Sequence, residues 1–245
     1  MIIVSFGSGT NSTAMLVGMH ERGINPDAIL FADTGGERPD TYCHLKQVNK
    51  WLGGIGFPLI ITVKEHVTLE QDCINRNALP SLAYGFKTCS QRWKIRPQER
   101  WLKQWEPAIG VWASGQRITK AIGIDADEPQ RARKYDDDKF NSWYPLLDWD
   151  WGRDECVEAI ERAGLPQPGK SSCFFCPSMR PTEVRQLNQQ YPELAERALE
   201  LEARAELTNV KGLGRSFAWK DLLATDELFS DSYAPIELAC GCYDG

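Results

Sequence analysis

The sequence predicts an α/β fold: a mostly parallel sheet with helices on both faces, plus a partly helical C-terminal appendage. Three observations carry this expectation. Short apolar runs and helical patterns alternate over the first 125 residues, the order expected of parallel strands joined by helices. The first apolar run ends in a Gly-rich turn that leads directly into a helical pattern. From about residue 165 onward, cysteine and helix signals replace the strand signal. The expected organisation is therefore a nucleotide-binding domain over 1–165 and a cysteine-containing, mostly helical region over 166–245 packed on it.

The elements follow in order. Residues 2–6, 28–32 and 57–63 read as buried strands, and 109–113 and 121–124 as further ones. Helical patterns cover 12–22, 39–52 and 98–105, with Pro39 acceptable in a first turn. The charged run 126–142, with Asp136-Asp137-Asp138 inside it, reads as a solvated loop. Helices are then expected over 153–163, 192–207 and 217–224.

Composition narrows the function classes. With 42% hydrophobic and 25% charged residues over 245 positions, the chain is neither globally disordered nor fibrous. No apolar run approaches the roughly 20 residues of a membrane span, and the N-terminus has no basic region or cleavage-like site. The expectation is a cytoplasmic protein with no membrane contact. The net charge of −6 argues against a protein that coats nucleic acid. Eight cysteines exceed what packing needs under reducing conditions, so a cysteine cluster reads first as a metal or redox site.

Ser5-Phe6-Gly7-Ser8-Gly9-Thr10-Asn11-Ser12-Thr13 joins the first strand to the first helix. Small residues let backbone amides approach an anion, and the following helix adds its positive end. A plain strand-to-helix turn capped by Ser is the alternative. The loop lacks the Gly-Lys-Ser/Thr of a P-loop and is not a dinucleotide fingerprint. The second strand ends in Asp33-Thr34-Gly35-Gly36-Glu37-Arg38-Pro39-Asp40-Thr41-Tyr42. In a parallel sheet both loops lie beyond the carboxyl ends of the strands, where ligands bind. Asp33, Thr34 and Gly35 are thereby placed toward a sugar, a base or a metal on phosphates.

These segments resemble the phosphoadenylyl sulfate (PAPS) reductase family of the PP-loop, or adenine nucleotide alpha hydrolase, superfamily. Ser5 to Ser12 match its Ser-x-Gly-x-x-x-Ser loop, Asp33 to Tyr42 its Asp-Thr-Gly-x-x-x-Pro-x-Thr-Tyr, and Pro145 to Trp149 its Pro-Leu-x-Asp-Trp. Gly123-Ile124-Asp125-Ala126-Asp127-Glu128 is similar to its Gly-Ile-Arg-x-Asp-Glu, with Asp125 in place of Arg. The resemblance implies an adenine nucleotide (PAPS, APS or ATP) held by Ser5, Gly7, Ser8, Gly9, Ser12 and Thr13. ATP-cleaving members carry Ser-Gly-Gly-x-Asp-Ser, and Asn11 replaces the Asp that supports magnesium pyrophosphate. This tilts the expectation toward adenylyl sulfate or a related nucleotide. Arg117 is a candidate phosphate clamp, with a solvated surface Arg as the alternative.

Cys173-Phe174-Phe175-Cys176 spaces two thiolates to face one metal or cluster; a packed pair of small residues is the alternative. Cys89 lies among Lys87, Arg92, Lys94 and Arg96, which would stabilise a thiolate. Its segment is similar to the Cys-Cys-x-x-Arg-Lys-x-x-Pro of adenylyl sulfate (APS) reductases, which hold an iron–sulfur cluster with that pair and a later Cys-x-x-Cys. Thr88 replaces the first Cys and one residue is inserted before Lys94. The implied ligands are Cys89, Cys173 and Cys176, with Cys240 as a fourth. The expected group is a 4Fe-4S cluster, with zinc as the alternative that spacing does not exclude. The C-terminal Cys240-Gly241-Cys242 also resembles the family's Glu-Cys-Gly nucleophile segment. Cys240 is assigned to the metal and Cys242 to the reactive thiol, the opposite assignment being the alternative. The roughly 60 residues separating Cys176 from Cys240 exceed the reductase pattern. Cys43, Cys73 and Cys156 read as buried small residues in helices, and Trp93, Trp101, Trp105, Trp149 and Trp151 as core.

Three functions follow. One is a sulfonucleotide reductase with a thiol electron donor. Another is an ATP pyrophosphatase that inserts sulfur into nucleic acid, of the tRNA thiolation or DNA phosphorothioation type, with Arg204, Lys211, Arg215 and Lys220 as basic positions that read first as a solvated helix face and alternatively as nucleic-acid contacts. The third is a non-catalytic nucleotide-binding accessory with a structural metal. Oligomerisation is compatible with all three.

Overall fold

A computed structural model describes the chain except residues 81, 84–85, 133–135, 208 and 229–245. Its strands are β1 (Ile2–Phe6), β2 (Ala28–Asp33), β3 (Ile60–Lys64), the short antiparallel pair β4 (Leu82–Ala83) and β5 (Phe86–Lys87), β6 (Ile118–Ile122) and β7 (Phe140–Trp143). Its helices are α1 (Thr10–Glu21), α2 (Pro39–Ile55), α3 (Leu69–Asn75), α4 (Arg96–Leu102), α5 (Glu106–Ala113), α6 (Pro145–Asp148), α7 (Arg153–Arg162), α8 (Pro181–Gln190), α9 (Pro192–Arg204) and α10 (Trp219–Leu228). Five strands form one parallel sheet in the order β3-β2-β1-β6-β7.

Side-chain alternation along the strands divides the core into two layers. Val4, Phe6, Ile29 and Phe31 pack on one face with residues of α1, α2 and α7. Ile3, Ala28, Leu30 and Ile118 pack on the other with Leu102 of α4 and Ala108 of α5. Each such fully buried Ile, Leu, Val or Phe contributes about 1.5–3 kcal/mol. A third apolar cluster lies under α8, α9 and α10 and draws in Leu69 and Cys73 of α3, together with Trp93. The C-terminal helices are thereby seated on the loop region that follows β3.

The sheet with helices on both faces and the helical C-terminal part agree with the fold expected from sequence, but several elements differ. The run at 109–113 lies in α5, not in a strand. Pro107 opens the helix, and Ala108, Val111 and Trp112 share its core-facing side while Ile109 is 41% exposed. That is the i, i+3, i+4 pattern, which a short apolar run conceals. The charged run expected to be a solvated loop leads into strand β7. Asp137 accepts the amides of Lys139 and Phe140, and Asp136 that of Ser142, so the acidic residues hold the turn that starts the strand. α3 and α8 were not expected. Cys43 is exposed, whereas Cys73 and Cys156 are buried.

Candidate functional site: the phosphate loop and the cysteine turn

β1 connects toward β2 and β3 on one side, and β6 and β7 lie on its other side, so the strand order reverses between β1 and β6. Crevices at such a reversal, beyond the carboxyl ends of the strands, take ligands. Here the crevice is bounded by Gly7-Ser8-Gly9, which leads into α1. Ser8 holds a left-handed backbone, φ 62°, which is uncommon for a residue with a side chain. Ser12 closes the turn: its Oγ accepts the Gly9 amide at 3.2 Å, and the Ser12 and Thr13 hydroxyls donate to the Gly9 carbonyl. Across the crevice, a Cβ on Gly123 would stand 2.9 Å from the Asn11 and Ser12 backbone. Only Gly lets the end of β6 approach the first turn of α1 this closely.

The side chains around the loop are fixed from several elements. Ser5 donates to Oε1 of Gln98 on α4 at 2.8 Å. Ser5, Gly7, Phe31, Lys94 and Gln98 line a narrow cavity between the ends of β1 and β2. Thr13 meets Nε2 of buried His44 on α2 at 3.0 Å, and burial lowers the imidazole pKa to about 4. Asn11 donates to Oδ2 of Asp125 at 3.0 Å and accepts from Arg153 at 3.5 Å.

The loop after β2 carries the second half of the site. Asp33 accepts the Gly35 amide at 2.8 Å and the Tyr42 hydroxyl at 2.9 Å. Glu37 pairs through its backbone with Cys173, and the Phe174 amide donates to the Gly36 carbonyl at 2.8 Å. A Cβ on Gly36 would lie 2.6 Å from the Phe175 ring, so the cysteine turn packs directly on this loop. The Thr34 hydroxyl stands 3.0 Å from both the Cys173 sulfur and Oε1 of Glu37. A hydroxyl has one proton to give. If Thr34 donates it to Glu37, the Cys173 thiol donates to Thr34, and the three groups form one chain. Burial raises the Glu37 pKa, opposed by the Lys94 ammonium. Burial, and next the Glu37 charge, push the Cys173 thiol well above its ordinary range.

Cys89, which precedes a π-helical turn at Ser90–Ile95, packs against the same apolar cluster as Cys173, Cys176 and Cys73. Beyond the cysteine turn, a cavity of about 540 Å³ is lined by Pro177, Met179, Arg180, Arg215 and Phe217, among others. Among the described residues, no three His, Cys, Asp or Glu side chains are gathered to hold a metal ion.

The profile of the phosphoadenosine phosphosulfate reductase domain family matches residues 1–164, two thirds of the chain. The chain belongs to that family. Among solved structures, it is similar to PAPS reductase of Candida auris in a phosphate complex, at 15% identity and TM-score 0.43 over 68% of this chain and 74% of that one. It is also similar to the U34-tRNA thiolase NcsA of Methanococcus maripaludis with its [4Fe-4S] cluster, at 14% identity and TM-score 0.46 over 84% and 73%. No curated protein matches.

This member of the PAPS reductase domain family brings together most of the residues singled out from its sequence. Ser5, Gly7, Ser8, Gly9, Ser12 and Thr13 lie at the end of β1, next to β2 and the Asp33, Thr34 and Gly35 at its end, and Cys173 reaches the loop after β2. Arg117 does not join them. It precedes β6, whose register sets Thr119 against Ile2 and Ile122 against Ser5. That places Arg117 at the amino-terminal edge of the sheet, exposed and bonded to Asn141, opposite the phosphate loop. Cys240 and Cys242 lie outside the described residues. Sequence reasoning missed Glu37, His44 and Gln98, and assigned Lys94 to the surroundings of Cys89 and not to the cavity beside Ser5. Glu37 lies inside the Asp33–Tyr42 motif with no local signal of its own, and His44, in the second turn of α2, carries only the signal of a polar group in an apolar stripe. Among the described residues, no helix is long and apolar enough to cross a membrane.

Proposed function

We propose that the chain is a PAPS reductase-like enzyme that binds an adenine nucleotide at the phosphate loop and performs sulfur chemistry with a cysteine-held iron–sulfur cluster. The observation that carries this reading is the seating of the cysteine turn on the loop after β2, which borders the phosphate loop, with the Thr34 hydroxyl 3.0 Å from the Cys173 sulfur. Sulfur chemistry and nucleotide binding thus share one wall.

Cys89, Cys173 and Cys176, with Cys240, would hold the cluster. Soft thiolates suit iron–sulfur groups, and Cys89, Cys173 and Cys176 border one apolar cluster without being gathered around a common point. When bound, such a cluster supplies electron-transfer or sulfur-holding chemistry. The chain's own residues do the rest. The amides at the start of α1 bind the anionic tail. Asp33 and Thr34 face the remainder of the nucleotide. The Cys242 thiolate attacks the sulfur of the adenylyl sulfate, forming a sulfur–sulfur bond as the sulfur–oxygen bond to the nucleotide breaks. A dithiol donor then reduces the enzyme S-sulfonate, releasing sulfite and leaving a disulfide on the donor. Anaerobically purified protein should contain iron and acid-labile sulfide, and should release sulfite from PAPS or APS with a thiol donor. Cluster-replete protein that yields no sulfite from either overturns the reductase chemistry.

One observation favours a second reading, ATP cleavage to pyrophosphate for sulfur insertion into nucleic acid. A buried carboxylate, Asp125, lies against Asn11 of the phosphate loop. The cavity with Arg180 and Arg215 would then receive the acceptor's phosphates. Pyrophosphate release from ATP, in place of sulfite release, selects this reading.

A further inference from the structure

The buried stripe of α2 is Thr41, His44, Leu45, Val48 and Leu52. The three aliphatic residues pack into the core with α1, so an apolar side chain at position 44 would serve the packing as well. Positions 41 and 44 instead touch the phosphate loop. The Thr41 carbonyl accepts the Ser8 hydroxyl at 3.4 Å, and Nε2 of His44, a residue 3% exposed, stands 3.0 Å from the Thr13 hydroxyl.

The direction of the second contact follows from counting protons. The Thr13 hydroxyl has one to give, and it goes to the Gly9 carbonyl at 2.8 Å. Thr13 therefore receives from His44, and the imidazole carries its proton on Nε2. Nδ1 is then a bare acceptor, buried with no hydrogen-bond partner. The opposite tautomer leaves Nδ1 no better off. It also draws the Thr13 proton away from Gly9, so one hydrogen bond is made where two were possible. A charged ring would bury an unpaired N–H at Nδ1, in keeping with a pKa that burial lowers to about 4.

The relay ends on the peptide group that opens α1. Its N-cap is Gly9, which has no side chain to bond back into the turn. The Gly9 carbonyl is held by donors from within the helix: the Thr13 hydroxyl at 2.8 Å, the Thr13 amide at 3.0 Å and the Ser12 hydroxyl at 3.2 Å. In a planar trans peptide the C=O and N–H point opposite ways. A Gly9 carbonyl drawn into the helix therefore turns the Thr10 amide outward past the N-terminus, the place where helices bind anions. Donors held in place before the ligand arrives cost nothing to order when it binds.

We propose that His44 is a positioning residue of the anion site: its Nε2–H, acting through the Thr13 hydroxyl, holds the Gly9 carbonyl in the helix and so aims the Thr10 amide at the phosphate of the bound nucleotide. This rests on the adenine-nucleotide reading above and gives α2 a part in binding that the loop sequence alone does not carry.

Calorimetric titration of the full chain with AMP and with adenosine, which lacks the phosphate, tests it in the wild type, His44→Gln and His44→Phe. The Gln amide can still donate to Thr13, whereas the Phe ring fills the space without a donor. His44→Phe should weaken AMP binding by about tenfold and leave adenosine binding unchanged, and His44→Gln should keep the wild-type preference for AMP. Undiminished AMP affinity in His44→Phe, an equal loss in His44→Gln, or a loss of adenosine and AMP binding together overturns the proposal and leaves nucleotide binding standing. A second arm does not depend on how well the Phe variant folds. The chain has three histidines, and in ¹⁵N spectra of the wild type the His44 ring, identified by its absence from His44→Gln, should show a protonated Nε2 and a bare Nδ1. The opposite tautomer overturns the relay. If neither AMP nor adenosine binds the wild type, the nucleotide reading itself falls, and the role of His44 with it.

Discussion

The phosphate loop and the cysteine turn share a wall but are built differently. The loop is made by one contiguous stretch whose hydroxyls bond back to Gly9 within four residues, at the end of a sheet with an independent core. The cysteine turn is placed by contacts that span the sequence. Glu37 bridges to Cys173, Tyr191 donates to Asp40, and Arg197 pairs with Glu70. A local device tolerates change elsewhere, whereas a turn held by long-range contacts depends on everything that seats it.

The largest expected effect tests that separation. Cys173→Ser should strip iron and sulfide from anaerobically purified protein to a small fraction of wild type, while the affinity for an adenine nucleotide changes little. Metal analysis and nucleotide titration on the same preparation check it. If nucleotide affinity falls in step with iron, the two regions are one cooperative site. Next comes Phe175→Ala, which empties a fully buried ring beneath Gly36. It should cost about 3–5 kcal/mol in denaturant unfolding. If the turn and its helices unfold apart from the sheet, that loss appears as a separate early transition.

Legibility in the sequence follows the same division. β1, its loop and α1 are readable because strand, turn residues and helix are adjacent, and the same holds for the loop after β2. The helical character of 109–113 was hidden because four apolar residues and a glycine fit either period, and only the burial of Ala108 decides. β7 was hidden behind charges that serve as its turn. The convergence of Cys173 with Thr34 and Glu37 joins residues more than 130 positions apart, and no local pattern encodes it. The pairing of Asn11 with Asp125 is of the same kind. Both departures were visible singly, but their contact belongs to the fold.

A smaller effect reads the phosphate-loop region by pH. His44 is neutral in the native state, its pKa lowered by burial from 6.5 to about 4. Above pH 6.5 the imidazole is neutral folded and unfolded, and it adds no pH dependence. Between 6.5 and 4 the unfolded chain takes up a proton that the native state refuses, so stability falls on acidification; below 4 the loss levels off. The full span is worth up to about 3 kcal/mol. His44→Gln should flatten this stretch of the stability profile, measured by urea unfolding at fixed pH values. An unchanged slope would mean that the imidazole is not the buried neutral partner of Thr13.

The smallest effect is the most local. A methyl on Gly123 would meet the backbone of Asn11 and Ser12 at 2.9 Å, too close for any real Cβ, and neither neighbour is the flexible end of a side chain. Either β6 or the first turn of α1 must give way, at a cost of about 1–3 kcal/mol as for other overpacked sites. The turn that moves is the one whose amides are proposed to bind the anion. Gly123→Ala should therefore weaken nucleotide binding by about tenfold with iron content unchanged, checked by titration against a preparation of matched cluster content. Loss of iron with nucleotide affinity intact would invert the comparison, because the strain would then have travelled along the sheet to the cysteine turn and not into the adjacent loop.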